Sequence, residues 1–422
     1  MNINNVLNHL ATFNELGYNP DNGGINRIAF SHPERMAALK FSMLCQRAGL
    51  DVYFDFIGNV IARREGKYPD LKPVVIGSHI DTVKDGGQYD GLLGVIGALE
   101  VVEYLNKHHI ETDHPLIIIA FACEESARFN EATIGSKYLT GQYNRTSLKD
   151  IVDNDGYVLY DIVQPLSQEV RGQTALFERN QIKAFLELHI EQGPILENNN
   201  DDIGIVTHIA APHRFKVTVQ GVTSHSGSTP MPMRTDALTA ASEMILKIEQ
   251  LAQQYTNEGI VATVGYVDVY PNTMNSIPGE VSFLIDIRGK DEAIREDVVQ
   301  QILNSIDQIS TQRHTHCKIT DLGNEHPAKL NAEMAKITEN VCKQHGFEYK
   351  YMYSGAGHDA MNFASIVPTS MIFIPCKDGI SHSPLESVTT AQIAKGVQTL
   401  IDTTLELTHK TTTLEDFDNQ VI

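Results

Sequence analysis

The sequence predicts an α/β fold: a mixed, largely parallel sheet with helices on both faces, plus an inserted ferredoxin-like α+β domain. Three observations predict it. Apolar strand-like runs alternate with helix-length segments through the first half and again after residue 329. Between residues 211 and 328 the order becomes strand, helix, strand, strand, helix, strand, which is the split βαβ arrangement. The 422 residues also exceed what one ordinary core accommodates. The expected division is 1–210, 211–328 and 329–422, with the first and last segments building one domain.

The elements follow in chain order. Residues 34–48 place Met36, Leu39, Met43 and Leu44 at helical spacing. Residues 52–62 and 74–80 read as strands, 91–105 as a strongly apolar helix, and 116–122 as a continuous buried strand. A short strand is expected at 185–189. In the insert, 215–219, 261–269, 281–288 and 317–320 read as strands, and 236–252 and 291–309 as amphipathic helices. Pro271-Asn272 and Pro278-Gly279 supply turns. A last buried strand is expected at 371–375, and the tail after Lys410 is polar.

Bulk composition removes several classes of function. Hydrophobic residues are 42% and charged residues 20% of the chain, as in a globular protein. A formal charge of −20 repels nucleic acid and anionic lipid, and no basic cluster offsets it. No apolar run approaches the roughly 20 residues of a membrane span. The start, Met1-Asn2-Ile3-Asn4-Asn5, lacks the basic and apolar regions of a secretion signal, so a cytoplasmic location is expected. Cys45, Cys123, Cys317, Cys342 and Cys376 form no Cys-x-x-Cys pair, which argues against disulfides or a thiolate metal site. Cys123 reads as a small hydrophobe in a buried strand.

The reactive groups gather where apolar runs end. Val74-Val75-Ile76-Gly77-Ser78-His79-Ile80-Asp81 is followed by Gly86-Gly87-Gln88-Tyr89-Asp90-Gly91. Ala120-Phe121-Ala122-Cys123 runs into Glu124-Glu125. Strand-like segments also lead to His189 and His382. Each motif alone has a bland reading: His-x-Asp pairs are common, Glu-Glu is usually a solvated face, and His189 alone suits a core. Their joint placement at the carboxyl ends of buried strands points to a metal hydrolase. A two-metal site needs imidazoles and carboxylates, one bridging ligand and a base for water. His79, Asp90, Glu125, His189 and His382 are the candidate ligands. Asp81, two residues beyond His79, is expected to accept the other ring N–H of His79 and fix its tautomer. If the strand continues through both glutamates they point apart, one toward metal and one toward water. Arg288 ends an apolar strand, and its fork suits a carboxylate ligand or a salt bridge to Asp286. His108, His109 and His114 read as exposed.

These residues carry a resemblance to a family. Gly77-Ser78-His79-Ile80-Asp81, Gly86-Gly87-Gln88-Tyr89-Asp90-Gly91, Glu124-Glu125 and His189-Ile190-Glu191-Gln192-Gly193-Pro194 are four of its landmarks. Further on come Ser224-His225-Ser226-Gly227, Asn272-Thr273-Met274-Asn275-Ser276, Asp286-Ile287-Arg288, Gly355-Ala356-Gly357-His358-Asp359-Ala360 and Ser381-His382-Ser383. In that order the chain resembles the hydantoinase/carbamoylase group of dinuclear-metal amidohydrolases. That group includes N-carbamoyl-L-amino acid hydrolases, β-ureidopropionases and allantoate amidohydrolases, within the aminoacylase and zinc carboxypeptidase-like superfamily.

The resemblance implies two divalent ions per subunit, zinc first, with manganese, cobalt or nickel as alternatives. One ion would take His79 and His189, the other Glu125 and His382, with Asp90 bridging. Glu124 would be the general base, with Asp81 supporting catalysis. The insert would be a lid and dimerisation domain, making a homodimer in which His225 and Asn275 reach a neighbouring active site. His225 would donate to the oxyanion. Arg288 would grip the substrate carboxylate, with Gln192, Gly357 and His358 completing the pocket. The implied reaction is attack of a metal-bridging hydroxide on the ureido carbon of an N-carbamoyl-L-amino acid, giving amino acid, CO2 and ammonia. Allantoate or β-ureidopropionate hydrolysis is the alternative, followed by N-acyl amino acid or dipeptide hydrolysis. Ser126 stands where the group usually has glycine after the paired glutamates. A metal-holding scaffold without turnover is the reading from another class, and the presence of Glu124 argues against it.

Overall fold

A computed structural model describes residues 1–169, 177–179 and 181–414. The end of the polar tail, 415–422, lies outside the described residues. The chain forms two compact units, 1–207 with 329–422, and 208–328.

In the first unit four strands run parallel in the order Leu116–Phe121, Val74–His79, Ala184–Ile190, Thr369–Ile374. Every residue in them is buried. Burial on both faces explains why they read as continuous apolar runs instead of alternating ones. Alternate residues of Ala184–Ile190 serve opposite faces. Leu186 and Leu188 join the core built with the helix Leu92–Lys107, while Phe185 stacks on Phe363, ring centroids 4.1 Å apart. Phe363 belongs to the short helix Ala360–Phe363, so helical cover lies on both sides. Leu92–Lys107 is buried without a break from Leu92 to Val102 and packs against Val74–His79, Ile3–Asn14 and Thr390–Thr408.

The flanks of this sheet are antiparallel: Val60–Arg64 and Asp51–Phe54 on one side, Ile203–Ile209 on the other. The single strand expected at 52–62 is therefore a hairpin. Its turn is made by the Asp55 carboxylate, which accepts from the amides of Gly58 and Asn59 at 2.9 and 2.8 Å, as short polar turn residues do.

The unit 208–328 is an antiparallel sheet in the order His316–Asn324, Ala211–Gln220, Glu280–Gly289, Val261–Tyr270. With the helices Ala237–Gln254 and Glu292–Gln312 between strands, this is the ferredoxin-like topology. The central strand alternates, with Val281, Phe283, Ile285 and Ile287 buried in one core with Met244 and Ile302. Asp236 and Asp291 cap the two helices by accepting from backbone amides of the first turn. Among the described residues no helix is long and apolar enough to cross a membrane.

Candidate active site

The parallel strands deliver their polar residues at one end, as open α/β sheets do. His79 is the last residue of Val74–His79, and His189 stands next to the end of Ala184–Ile190. Glu124 and Glu125 follow Leu116–Phe121, and His382 follows Thr369–Ile374. Asp90 precedes the helix Leu92–Lys107, whose N-terminus favours a carboxylate nearby. Between them Gly91 adopts φ +64, and a Cβ there would lie 2.4 Å from the His79 ring. Both facts demand glycine.

Two groups result, and they share one residue. His79 Nε2 and His189 Nε2 lie 3.3 and 3.2 Å from Asp90 Oδ1. His382 Nε2 lies 3.4 Å from Asp90 Oδ2 and 3.2 Å from Glu125 Oε1. His79, Asp90 and His189 could hold one metal ion, and Asp90, Glu125 and His382 another.

The donor set fits divalent ions. Two ligands each about 2.0–2.1 Å from a tetrahedral ion stand about 3.4 Å apart, close to the spacings seen. His79 Nδ1 points at the Asp81 carbonyl at 3.0 Å and His189 Nδ1 at the Ile190 carbonyl at 2.9 Å. Those bonds place the ring proton on Nδ1 and turn the Nε2 lone pairs toward Asp90. The His79 lone pair facing a carboxylate calls for positive charge between them, while the His189 lone pair also accepts from Gly91 N at 3.1 Å. The electrostatics agree. Burial alone would lower His79 and His189, but Glu124 and Asp90 raise the first and Asp90 raises the second. Hydrogen bonding to Asp90 and Glu125 raises His382.

Asp81 behaves differently from expectation. Its backbone carbonyl, not its carboxylate, fixes the His79 tautomer, and the carboxylate Oδ1 is 3.7 Å from His79 Nδ1. The carboxylate instead accepts from the amides of Glu124 and Glu125 at 3.1 and 3.0 Å. The glutamates are not strand residues: the strand stops at Phe121 and Cys123 turns the chain with φ 55. Cys123 is buried as expected but sits in that turn. Burial pushes the Glu124 carboxyl well up, His79 opposes, and Glu125, Asp359 and Asp81 add to the rise. A buried acid with nearby counter-charge suits proton transfer.

The expected pocket residues of this unit lie against the candidate ligands. Gln192 Nε2 donates to Asp90 Oδ2 at 2.6 Å, and its buried Oε1 has no partner among the described residues. His358 is 2% exposed, bonded through Nε2 to Ser354 Oγ at 2.9 Å and set edge-on to the His189 ring. Burial holds it well below the usual imidazole range. It backs His189, and Gly357 beside it is half-buried. His114 is buried, not exposed, and points Nδ1 at the Lys72 carbonyl. Two acids escaped sequence reasoning. Glu187, on the His189 face of its strand, accepts from Ser78 Oγ at 2.8 Å and Ala360 N at 3.0 Å. A lone charge inside an apolar strand was the available signal. Glu386 reads in sequence as an ordinary loop acid, yet it is 3% exposed.

In the unit 208–328, Ser224–His225 pairs with Ser276–Ile277, and Ser226 N donates to the Asn275 carbonyl at 2.9 Å. His225 and Asn275 are thus neighbours, and both are exposed. His225 Nδ1 accepts from the amides of Gly227 and Ser228 at 3.1 and 3.2 Å, so its proton resides on the outward Nε2. Arg288 Nε donates to Asp286 Oδ1 at 2.8 Å, and Arg214 Nε donates to Asp286 Oδ2 at 2.9 Å. Of the two sequence readings for Arg288, the salt bridge is the one seen. Burial raises the Asp286 carboxyl, and the two arginines more than reverse that.

Comparison with known proteins agrees with this architecture. Residues 75–406 match the description Peptidase family M20/M25/M40. The chain is 37% identical to an N-carbamoyl-L-amino acid amidohydrolase of Geobacillus stearothermophilus, over 94% of this chain and 97% of that one. It is 36% identical to the allantoate amidohydrolase of Escherichia coli, over 90% and 92%. A hydantoinase/carbamoylase-family amidase from Burkholderia multivorans superposes with a TM-score of 0.91 at 32% identity, covering 97% of this chain and 99% of that one. The chain therefore belongs to peptidase family M20/M25/M40, among its hydantoinase/carbamoylase amidases, and is a hydrolase of C–N bonds in non-peptide substrates.

Proposed function

We propose that the chain hydrolyses the ureido C–N bond of an N-carbamoyl-L-amino acid to the amino acid, CO2 and ammonia, using two divalent ions with zinc as first choice. The observation that carries this is the pair of ligand groups joined through Asp90, with Glu124 buried beside them. His79 and His189 would hold one ion, Glu125 and His382 the other, and Asp90 both. When bound, such ions lower the pKa of water and polarise the carbonyl. Glu124 takes the proton of the attacking water and returns it to the leaving nitrogen. Asp81 fixes the loop from which Glu124 acts. His225 offers its outward N–H to the oxyanion, and Arg288, oriented by Asp286, takes the substrate carboxylate. Gln192, Asn275, Gly357 and His358 are the further substrate-binding candidates.

We read the unit 208–328 as the lid and dimer contact. Its sheet ends in Val261–Tyr270, an edge strand exposing Val261, Tyr266, Val267 and Tyr270, a surface suited to pairing with another strand. The test is ammonia release by the zinc- or manganese-loaded enzyme from N-carbamoyl-L-amino acids, β-ureidopropionate and allantoate, with N-acetyl amino acids and dipeptides followed alongside by release of the free amino acid. Turnover of the last two alone would remove the ureido assignment. A monomeric species in sedimentation with full activity would remove the cross-subunit role of His225.

A further inference from the structure

Glu386 lies 296 residues beyond Asp90 in sequence and touches it through the backbone. Its Oε1 accepts from Tyr89 N at 2.7 Å and from Asp90 N at 3.1 Å. Its Oε2 lies 2.9 Å from Ser381 Oγ, the residue before His382. Ser381 Oγ also stands 2.7 Å from Asp90 Oδ2. One buried carboxyl group thus ties the loop carrying Asp90 to the loop carrying His382. The Asp90 loop has made room for it: a Cβ on Gly87 would lie 2.1 Å from Glu386 Cδ and 2.3 Å from each carboxylate oxygen.

We infer that Glu386 is a positioning residue for the second ion, a hydrogen-bonded clamp that sets the distance between Asp90 and His382. This rests on the metal reading above. The clamp works through its donors and acceptors, not through net charge. Ser381 has one hydroxyl proton and two carboxyl groups within reach. A glutamine at 386 keeps the acceptor for Tyr89 and Asp90 and adds an N–H toward Ser381, whose own proton then serves Asp90. An alanine leaves two amides without their acceptor and lets the His382 loop drift. Supporting partners of ligands typically govern about 10–100-fold in metal affinity.

The test is zinc binding to the metal-free full chain by competition with a chromophoric chelator, with the cobalt(II) visible spectrum as a geometric readout. Wild type should take two ions. Glu386→Ala should bind the second about 10–100-fold more weakly with altered cobalt bands, and Gly87→Ala should do the same by expelling the carboxylate. The double variant should be no worse than Glu386→Ala, because both changes break one clamp. Glu386→Gln should stay within about threefold of wild type. Wild-type affinity in both Glu386→Ala and Gly87→Ala overturns the clamp. A glutamine variant as weak as the alanine one overturns its hydrogen-bonded nature. A wild type that takes no zinc overturns the metal reading itself and is distinct from either result.

Discussion

Asp90, His79 and His189 are 5%, 2% and 1% exposed, and each lies against groups from other elements. His225 and Asn275, in the unit 208–328, are exposed and, among the described residues, anchored through the backbone and a ring acceptor. The first set is completed by the folding of a sheet. The second keeps access to whatever approaches it. Burial suits these three groups, because displaced ligands would be left uncompensated, whereas His382 of the second group is exposed and faces Asp90 and Glu125. Exposure suits groups whose partner arrives from solution.

The comparison breaks or sharpens in three measurements. Glu124→Gln keeps the shape and removes the proton carrier, so turnover should fall about 10²–10⁴-fold while metal content stays at two ions. Retained turnover would strip Glu124 of its role as base. His225→Ala should lower kcat about 10²–10³-fold and leave metal content untouched and the melting temperature nearly so, since its exposed ring bonds to amides of its own loop. Loss of metal in that variant would erase the contrast between buried and exposed sets. The smallest effect is expected from Arg214→Ala: Asp286 retains Arg288, and the side chains of this pair are 40% and 31% exposed. Urea unfolding should shift by about 0–1 kcal/mol. A cost of several kcal/mol would show that the arginine pair is a core feature of the unit.

Sequence reasoning did best where chemistry interrupts an apolar run. His79 and His189 stand out because five buried strand residues lead up to each. The ferredoxin-like insert is visible because its central strand alternates with period two. What was not legible depends on contacts between distant segments. Residues 52–62 contain no proline, and their turn signals, Asp55, Gly58 and Asn59, are set among apolar residues, so the hairpin was read as one strand. Paired glutamates seemed to continue a strand because Cys123 gives no sign of its positive φ. Asp81 lay two residues from His79, and proximity in sequence suggested the wrong acceptor atom. Glu386 was invisible because the loop amides it serves are almost 300 residues away.

One side of Asp81 is bonded to its own strand's histidine, and the other to the loop after the neighbouring strand. Parallel strands give few local cues about alignment, and a one-residue shift would carry every side chain to the opposite face. In such a misaligned sheet the Glu124 and Glu125 amides would miss the Asp81 carboxylate, and the proposed ligands and base would be lost together. The centre can assemble only on a correctly threaded sheet, so ion uptake during refolding would report sheet alignment as well as occupancy.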